Sequence, residues 1–406
     1  MSFFSGLALL LIVSLVYLSG GDYLPLSPAR LEQLELLPLF EVSLASLIGS
    51  WLVVFLILRF DHLHQSMSHD NHLHAIQKIH DQSVPRVGGV PIMGGLLFGL
   101  LALLIDVPQH GIGRPYLALL LVSSLPVFLG GFMEDVTKEV RVRTRLVLAF
   151  LSSVMGAYLL HAQVPSLGLP GLDAMLTNTP FFLVFTVFAV GGVTHGFNLI
   201  DGLNGLLGGF TLILLTGFLA VAYRVGDYSL FMLGLFVMMA ALGFLLWNWP
   251  RGLIFAGDGG AYLLGYVCAT LMVLLVARNP EVSPWYPMVA LGYPVFETLF
   301  SVYRRWRYHN APYDAPDDMH MHQLIFRLIK RLRGGASAAQ ISSNSLSALP
   351  IWVAVASVTL LAVKYAGETH VLMGIFLVGA VAYKILYRTL YFYVHRVKLG
   401  ESSTMS

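Results

Sequence analysis

The chain has 406 residues, of which 57% are hydrophobic and only 11% are charged. Soluble domains carry about 25% charged residues, so this composition excludes a soluble globular protein and predicts a polytopic membrane protein. The net charge of +2 is small, and we expect no nucleic-acid partner. Because Cys268 is the single cysteine, no disulfide can form within the chain.

Twelve apolar segments are long enough to cross a bilayer as helices, since a span takes roughly 17–25 residues. They cover residues 3–19, 42–59, 88–105, 115–131, 146–161, 180–196, 206–223, 229–247, 260–277, 285–303, 348–364 and 371–389. The first segment lacks the basic start and the cleavage site of a secretory signal, so we count it as a retained span. Eleven spans is the alternative count. The predicted fold is therefore an all-α polytopic membrane protein with 11–12 transmembrane helices.

The basic residues predict which loops face the cytoplasm. Nineteen of the 24 lysines and arginines fall in one alternating set of polar segments. Cytoplasmic loops carry an excess of these residues, so we assign that set to the cytoplasmic side. Both termini and the two long polar loops, 60–87 and 304–347, are then cytoplasmic as well.

Four acidic residues lie in short polar breaks on this same side. Glu134 and Asp135 occur in GGFMEDVTKEVR, Asp201 in GFNLIDGLNGL, and Asp258 in IFAGDGGAYLLG. Carboxylates are preferred ligands of Mg²⁺, and a glycine-rich turn that leads into a helix exposes amide groups suited to phosphate. The pattern predicts a phosphate-handling site that depends on Mg²⁺, with Mn²⁺ as the alternative ion.

Each acidic position also has a simpler structural explanation, which stays open. The acid pair could form ion pairs with the basic residues that follow it, which are Arg141, Arg143 and Arg145. Asp201 and Asp258 could cap helices, a common use of aspartate. Asn198, Asp201 and Asn204 are three residues apart, and this spacing predicts that they share one helix face.

Four further polar features accompany these acids. His320 and His322, in DDMHMHQ, fit phosphate contact through ring N–H groups. Lys78 and Arg86 flank a turn where a diphosphate or an anionic lipid could dock. Glu297 is an acid inside a predicted span, where a carboxylate is costly and usually functional, and Pro294 is expected to kink that helix. The six histidines between residues 62 and 80 are most simply a solvated loop, with a zinc site as the weaker alternative.

Taken in chain order, six motifs resemble one family. The motifs KIHDQSVPRVGG, EDVTK, NLIDGLNGL, AGDGG, PVFE and HMHQ are similar to those of the polyprenyl-phosphate N-acetylhexosamine-1-phosphate transferases, over about residues 78–330. The resemblance implies a cleft that opens to the cytoplasmic leaflet within one membrane domain, 1–406. Residues 1–60 and 348–406 then supply additional N-terminal and C-terminal spans.

The resemblance implies a reaction and a set of site residues. A lipid phosphate attacks the sugar-proximal phosphorus of a UDP-sugar, and UMP leaves with the help of Mg²⁺. The catalytic residues are expected to be Glu134, Asp135 and Asp201, and the metal ligands Asp258 and Asp135. The substrate-binding residues are expected to be Lys78, Arg86, Asn198, Asn204, His320 and His322.

The chain departs from the family pattern at three positions. Glu134 and Asn204 stand where the family usually has aspartate, and Gln323 replaces a second adjacent histidine. The departures favour a branch that initiates O-antigen, capsule or exopolysaccharide synthesis rather than peptidoglycan synthesis. The expected partners are a UDP-sugar, undecaprenyl phosphate and membrane lipid in a bacterial inner membrane, and a homodimer is left open.

Three competing hypotheses remain. A secondary transporter also suits twelve spans and an intramembrane acid, but transporter sites lie near the midplane and often show internal repeats, and no repeated half is found here. A phosphotransferase of the CDP-alcohol type would carry a different clustered aspartate signature, which is absent. A catalytically impaired family member is the third hypothesis, because of the three departures.

Overall fold

The computed structural model describes residues 36–68, 84–106, 114–177, 180–308, 319–333 and 340–403. Within these ranges the regular structure is helical. The helices are α1 Leu36–Arg59, α2 Asp61–Ser68, α3 Gly89–Asp106, α4 Arg114–Thr137, α5 Val142–Leu159, α6 Pro170–Leu176, α7 Phe181–Ile200, α8 Leu206–Arg224, α9 Tyr228–Asn248, α10 Gly257–Arg278, α11 Trp285–Ala290, α12 Gly292–Tyr308, α13 Met321–Leu332, α14 Gln340–Lys364 and α15 Thr369–Ser403.

Nine of the described helices are long and apolar enough to cross a membrane, namely α1, α4, α5, α7, α8, α9, α10, α14 and α15. Helix α3 carries a shorter apolar stretch, Gly89–Ile105. The predicted span 3–19 lies outside the described residues. These helices confirm the prediction of an all-α polytopic membrane protein.

The predicted span 285–303 is wrong as one continuous helix. The chain forms two helices there, α11 and α12, with Leu291 between them. Pro294 therefore lies in the first turn of α12, where its missing N–H interrupts no helical hydrogen bond. It does not kink an unbroken span, as the sequence had suggested.

Helix α10 lies at the centre of the protein. It packs against α3, α4 and α7, among other helices. Of the residues in its most apolar stretch, 94% are buried inside the protein, whereas only 6% of the residues in the corresponding stretch of α15 are buried. Helix α15 is therefore an outer helix with most of its surface available to lipid, and the N-terminal end of α10 is enclosed on several sides.

The polar loops gather at two opposite ends of the bundle. At one end, Arg224 donates to the carbonyl of Val363 over 2.9 Å, and the N–H of Ser283 donates to Ala366 over 2.8 Å. These loops lie near the C-terminal end of α10. The site acids lie at its other end, around Gly257, so they share one end of the bundle as the loop assignment predicted.

Small residues allow α1, α3 and α9 to approach closely. A Cβ added at Gly95 of α3 would lie 2.6 Å from the carbonyl oxygen of Ser46 in α1. A Cβ added at Gly243 of α9 would lie 2.6 Å from the carbonyl oxygen of Leu47 and 2.8 Å from the Cβ of Ser50. Such contacts drive helix association where lipid offers no hydrophobic gain.

We predict that Gly243→Ala lowers the thermal stability of the purified protein in detergent. The added methyl group meets backbone rather than a flexible side chain, so the helices must separate, at a cost of about 1–3 kcal/mol. Gly374→Ala on α15 is the control, because nothing lies within 4 Å of its added Cβ. Equal melting temperatures for the two variants would contradict this packing.

Candidate active site

The carboxylate of Asp135 binds the N-terminus of the central helix. Its Oδ1 accepts the N–H of Asp258 and its Oδ2 accepts the N–H of Gly259, each over 2.8 Å. The Asp135 residue is 1% exposed. The first amides of a helix lack internal partners and carry partial positive charge, so a carboxylate is well placed there. These two amides are bonded to Asp135, so they do not bind phosphate as the glycine-rich turn predicts.

A glycine at the start of α10 makes this contact sterically possible. Gly257 has φ +68°, and a Cβ there would collide with the carbonyl oxygen of Arg86 and with the Asp135 carboxylate. The chain around Arg86 runs alongside this turn, and the N–H of Gly88 donates to the carbonyl of Phe255 over 2.9 Å. The turn thus holds the first turn of α10, the end of α4 and the Arg86 segment together.

Asp258 lies in the first turn of α10, with Ala256 as the N-cap residue. Its carboxylate forms an ion pair with Arg145 of α5. The amide nitrogen of Asn198 in α7 donates to Asp258 Oδ1 over 3.0 Å, and Arg86 Nη2 lies 3.9 Å from the same oxygen. Side chains from three different segments therefore converge on one carboxylate, which is 7% exposed.

Asp201 follows directly on the last residue of α7. Burial raises the pKa of its carboxyl to about 7, although the charge of Arg86 and a hydrogen bond from the Gly257 N–H act in the opposite direction. A divalent cation bound nearby would favour the ionised form.

Asn198, Asp201 and Asn204 do not share one helix face, so that prediction is wrong. Helix α7 ends before Asp201, and a turn separates it from α8. Asn198 faces Asp258, whereas the N–H of Asn204 donates to Asn344 Oδ1 of α14 over 2.7 Å. Asn204 is 1% exposed and lies against α14. Asn198 and Asn204 therefore have different hydrogen-bond partners.

The two adjacent acids at the end of α4 have different partners. Asp135 binds α10, but Glu134 Oε2 accepts the N–H of Val140 over 2.8 Å. Lys138, in the same turn, donates from Nζ to the carbonyl oxygen of Asp135 over 2.6 Å. Glu134 therefore orders the turn between α4 and α5, and its longer side chain suits this reach.

The histidine motif lies beside the Asp201 turn. A Cβ added at Gly202 would collide with the imidazole of His322, so the ring packs directly against this glycine. The rings of His320 and His322 stack with centroids 5.6 Å apart and an interplanar angle of 4°. Gln323 Oε1 accepts the N–H of His320 over 3.0 Å, so this departure from the family pattern caps α13.

The structure brings most of the predicted site residues to one place. Those that converge are Arg86, Asp135, Asn198, Asp201, Asp258, His320 and His322. Glu134 and Asn204 have the separate partners described above, and Lys78 lies outside the described residues. The sequence analysis missed Arg145 as a partner of Asp258. The signal available was its place in the basic run after EDVTK, which we had used for topology and as a partner for the acid pair.

The donor set fits a magnesium ion held jointly with substrate. Within the described ranges, no three His, Cys, Asp or Glu side chains form a metal-binding group. Mg²⁺ is, however, usually held by one or two carboxylates together with water and substrate phosphates. Asp258 and the neighbouring Asp201 offer such carboxylates. Asp135 has both oxygens bonded to backbone amides, so its geometry favours a supporting role.

We predict that Asp135→Ala lowers the free energy of unfolding by about 1–2 kcal/mol, the usual cost of a lost helix cap. The substitution leaves two amides of the central helix without their acceptor. Thermal unfolding in detergent measures the effect. The exposed Glu139, in the turn that follows α4, provides the control variant Glu139→Ala. A similar melting temperature for both variants would argue against the cap.

Comparisons with known proteins show which family the chain is similar to. A sequence model described as glycosyl transferase family 4 matches residues 117–276. That range covers most of α4, all of α5 to α9 and most of α10, and it contains Asp135, Arg145, Asn198, Asp201 and Asp258. The match therefore covers the helices that build the site around the start of α10.

Several curated relatives are similar over most of their length. A protein of Bacillus subtilis (strain 168), named as a probable undecaprenyl-phosphate N-acetylglucosaminyl 1-phosphate transferase, is 30% identical over 273 residues, covering 61% of this chain and 67% of the relative. Undecaprenyl-phosphate alpha-N-acetylglucosaminyl 1-phosphate transferases of Yersinia pestis and Thermotoga maritima are 31% and 29% identical, covering 62% of this chain and 68% and 72% of the relatives. The chain therefore belongs to the polyprenyl-phosphate N-acetylhexosamine-1-phosphate transferases of glycosyl transferase family 4, and it is a membrane-embedded transferase.

Proposed function

We propose that the chain transfers N-acetylhexosamine 1-phosphate from a UDP-sugar to undecaprenyl phosphate in a reaction that depends on Mg²⁺. The relatives named for N-acetylglucosaminyl transfer make UDP-GlcNAc the first donor to test. The observation that carries the proposal is Asp258, which lies at the start of the central helix with Arg86, Arg145 and Asn198 around its carboxylate.

The proposed reaction exchanges one phosphoanhydride for another. An oxygen of the lipid phosphate attacks the phosphorus that bears the sugar. The bond from that phosphorus to the oxygen bridging to UMP breaks, UMP leaves, and lipid–diphosphate–sugar forms. Both substrates are anionic, so the protein must bring phosphates together and compensate their charge. When bound, Mg²⁺ neutralises the diphosphate and the departing UMP.

Different side chains have different roles in the proposed reaction. Asp258 and Asp201 would hold the cation, and Asn198 orients the Asp258 carboxylate. Arg86 and Arg145 can contact phosphate oxygens, because a guanidinium matches them with paired donors. His320 and His322 contact phosphate from α13, with Lys78 expected to contribute from the segment before Arg86. Asp135 keeps the start of α10 in place.

We place the site and both termini on the cytoplasmic side of a bacterial cytoplasmic membrane, where UDP-sugars are made. The distribution of lysines and arginines supports this orientation. The lipid-linked product would start an O-antigen, a capsule or an exopolysaccharide. The gathering of the acids at one end of the bundle favours this function over a transporter, whose site would lie near the midplane.

The test uses membranes that contain the chain, undecaprenyl phosphate, Mg²⁺ and radiolabelled UDP-GlcNAc or UDP-GalNAc. We expect a chloroform-soluble product and equimolar UMP, and no product when Mg²⁺ is chelated. Asp258→Asn should abolish turnover while the protein stays folded. No lipid-linked product from any UDP-N-acetylhexosamine would refute the proposed function and favour an impaired family member or a transporter. Full activity in both Asp258→Asn and Asp135→Asn would refute the proposed site.

We predict that Asn198→Ala reduces turnover at limiting Mg²⁺ by 10–100-fold, the usual loss when a residue that orients a metal ligand is removed. The loss should shrink as the Mg²⁺ concentration rises. Asn204→Ala is the matched comparison, because Asn204 bonds α14 instead of Asp258. It should lower thermal stability and leave the Mg²⁺ dependence unchanged. A changed Mg²⁺ dependence in Asn204→Ala together with an unchanged one in Asn198→Ala would contradict this geometry.

A further inference from the structure

We infer that Glu297 and Tyr383 are positioning residues that hold the imidazole of His320 in the orientation needed for phosphate contact. The last helix, α15, would thereby take part in building the site. The role given to His320 rests on the proposed function. The positioning contact itself rests on geometry alone, and it involves helices α12, α13 and α15, which lie outside the range matched by the family model.

The Glu297 carboxylate is fully enclosed and bonded through both oxygens. Its Oε1 lies 2.8 Å from His320 Nδ1 and accepts the N–H of Met321 over 3.2 Å. Its Oε2 accepts the hydroxyl of Tyr383 over 2.8 Å. Glu297 is 1% exposed, and a buried carboxylate is costly unless it is bonded in this way.

This arrangement sets the direction of the His320 ring. An ionised carboxylate can only accept hydrogen bonds, so Nδ1 carries the proton that points at Glu297. The other ring nitrogen, Nε2, is then directed away from Glu297. A second residue that fixes which ring nitrogen carries the proton is the usual way in which a protein aims a functional histidine.

The His320 ring is linked to the Asp201 turn through direct contacts. Its ring stacks on His322, and the His322 ring packs against Gly202, which is next to Asp201. A rotation of the His320 ring would therefore displace the His322 ring or lose the stacking. The order of contacts runs from α15 through Glu297 and the two histidines to the Asp201 turn.

A second set of bonds from the same helix holds the residue before His320. The hydroxyl of Tyr387, four residues after Tyr383, donates to the carbonyl of Met319 over 2.9 Å and accepts from Arg304 over 2.6 Å. Arg304 also donates to the carbonyl of Met319 over 2.9 Å. Most of α15 is available to lipid, yet Tyr383 bonds Glu297 and Tyr387 bonds Met319, directly before His320.

A double-mutant cycle separates positioning from general packing. Tyr383→Phe removes one hydroxyl and should lower kcat/KM for UDP-GlcNAc by about 10-fold or more. In a His320→Gln background the same substitution should cost almost nothing further, because its effect acts through His320. Tyr393→Phe removes a hydroxyl from an exposed position of the same helix and should leave kcat/KM unchanged. Equal fold-losses in both backgrounds, or no loss with either Tyr383→Phe or Glu297→Gln, would overturn the inference.

A spectroscopic measurement tests the contact without turnover. In protein labelled with ¹⁵N-histidine, the Nδ1–H resonance of His320 is identified by its loss in His320→Gln. We expect a strongly downfield proton that moves upfield in Tyr383→Phe and in Glu297→Gln, but not in Tyr393→Phe. An unaffected resonance refutes the contact even if the wild type is active. A responsive resonance in a protein that forms no lipid-linked product supports the contact and refutes the proposed function.

Discussion

The structure depends on the hydrogen bonds that the first backbone amides of the central helix make. Helix α10 begins among other helices, where its first residues are buried and their amides have no partner within the helix. Asp135 supplies both acceptors, and this fixes the end of α4 against the start of α10. The Gly257 turn then brings the Arg86 segment alongside. Asp258 can meet Arg145 and Asn198 only because its helix starts at this point.

The fold and the location of the site were largely predictable from the sequence. Long apolar runs must form helices in lipid, and basic loops indicate the orientation, so both the helical architecture and the shared end of the acids follow from the positions of apolar and basic residues along the chain. The partners of each acid were not predictable. Arg145 and Asp258 are 113 residues apart, and which side chains meet depends on how each helix is rotated within the bundle. Asn204 is an example. Its spacing from Asn198 predicts a shared helix face, but α7 ends between the two residues and Asn204 bonds α14.

The region around Glu297 shows a second limit. An apolar window cannot reveal that the chain stops one helix and starts another, and so the break at Leu291 was missed. The cost of a carboxylate in an apolar segment predicts a specific role for Glu297, and the structure shows that both of its oxygens are bonded. Its partners lie 23 residues away at His320 and 86 residues away at Tyr383. Contacts between residues so far apart along the chain are set by tertiary packing, and no local sequence pattern encodes them.

The contact between α15 and Glu297 also has a consequence for biogenesis. A membrane protein is synthesised and inserted from its N-terminus, so every helix that carries the acidic residues enters the bilayer before Tyr383 exists. During that interval the Glu297 carboxylate lacks one of its hydrogen-bond donors. The acidic end of the bundle can therefore assemble early, whereas the contacts of Glu297 and Met319 with Tyr383 and Tyr387 can form only after α15 has joined. A nascent chain that stalls before residue 383 would thus be an inserted but incomplete transferase.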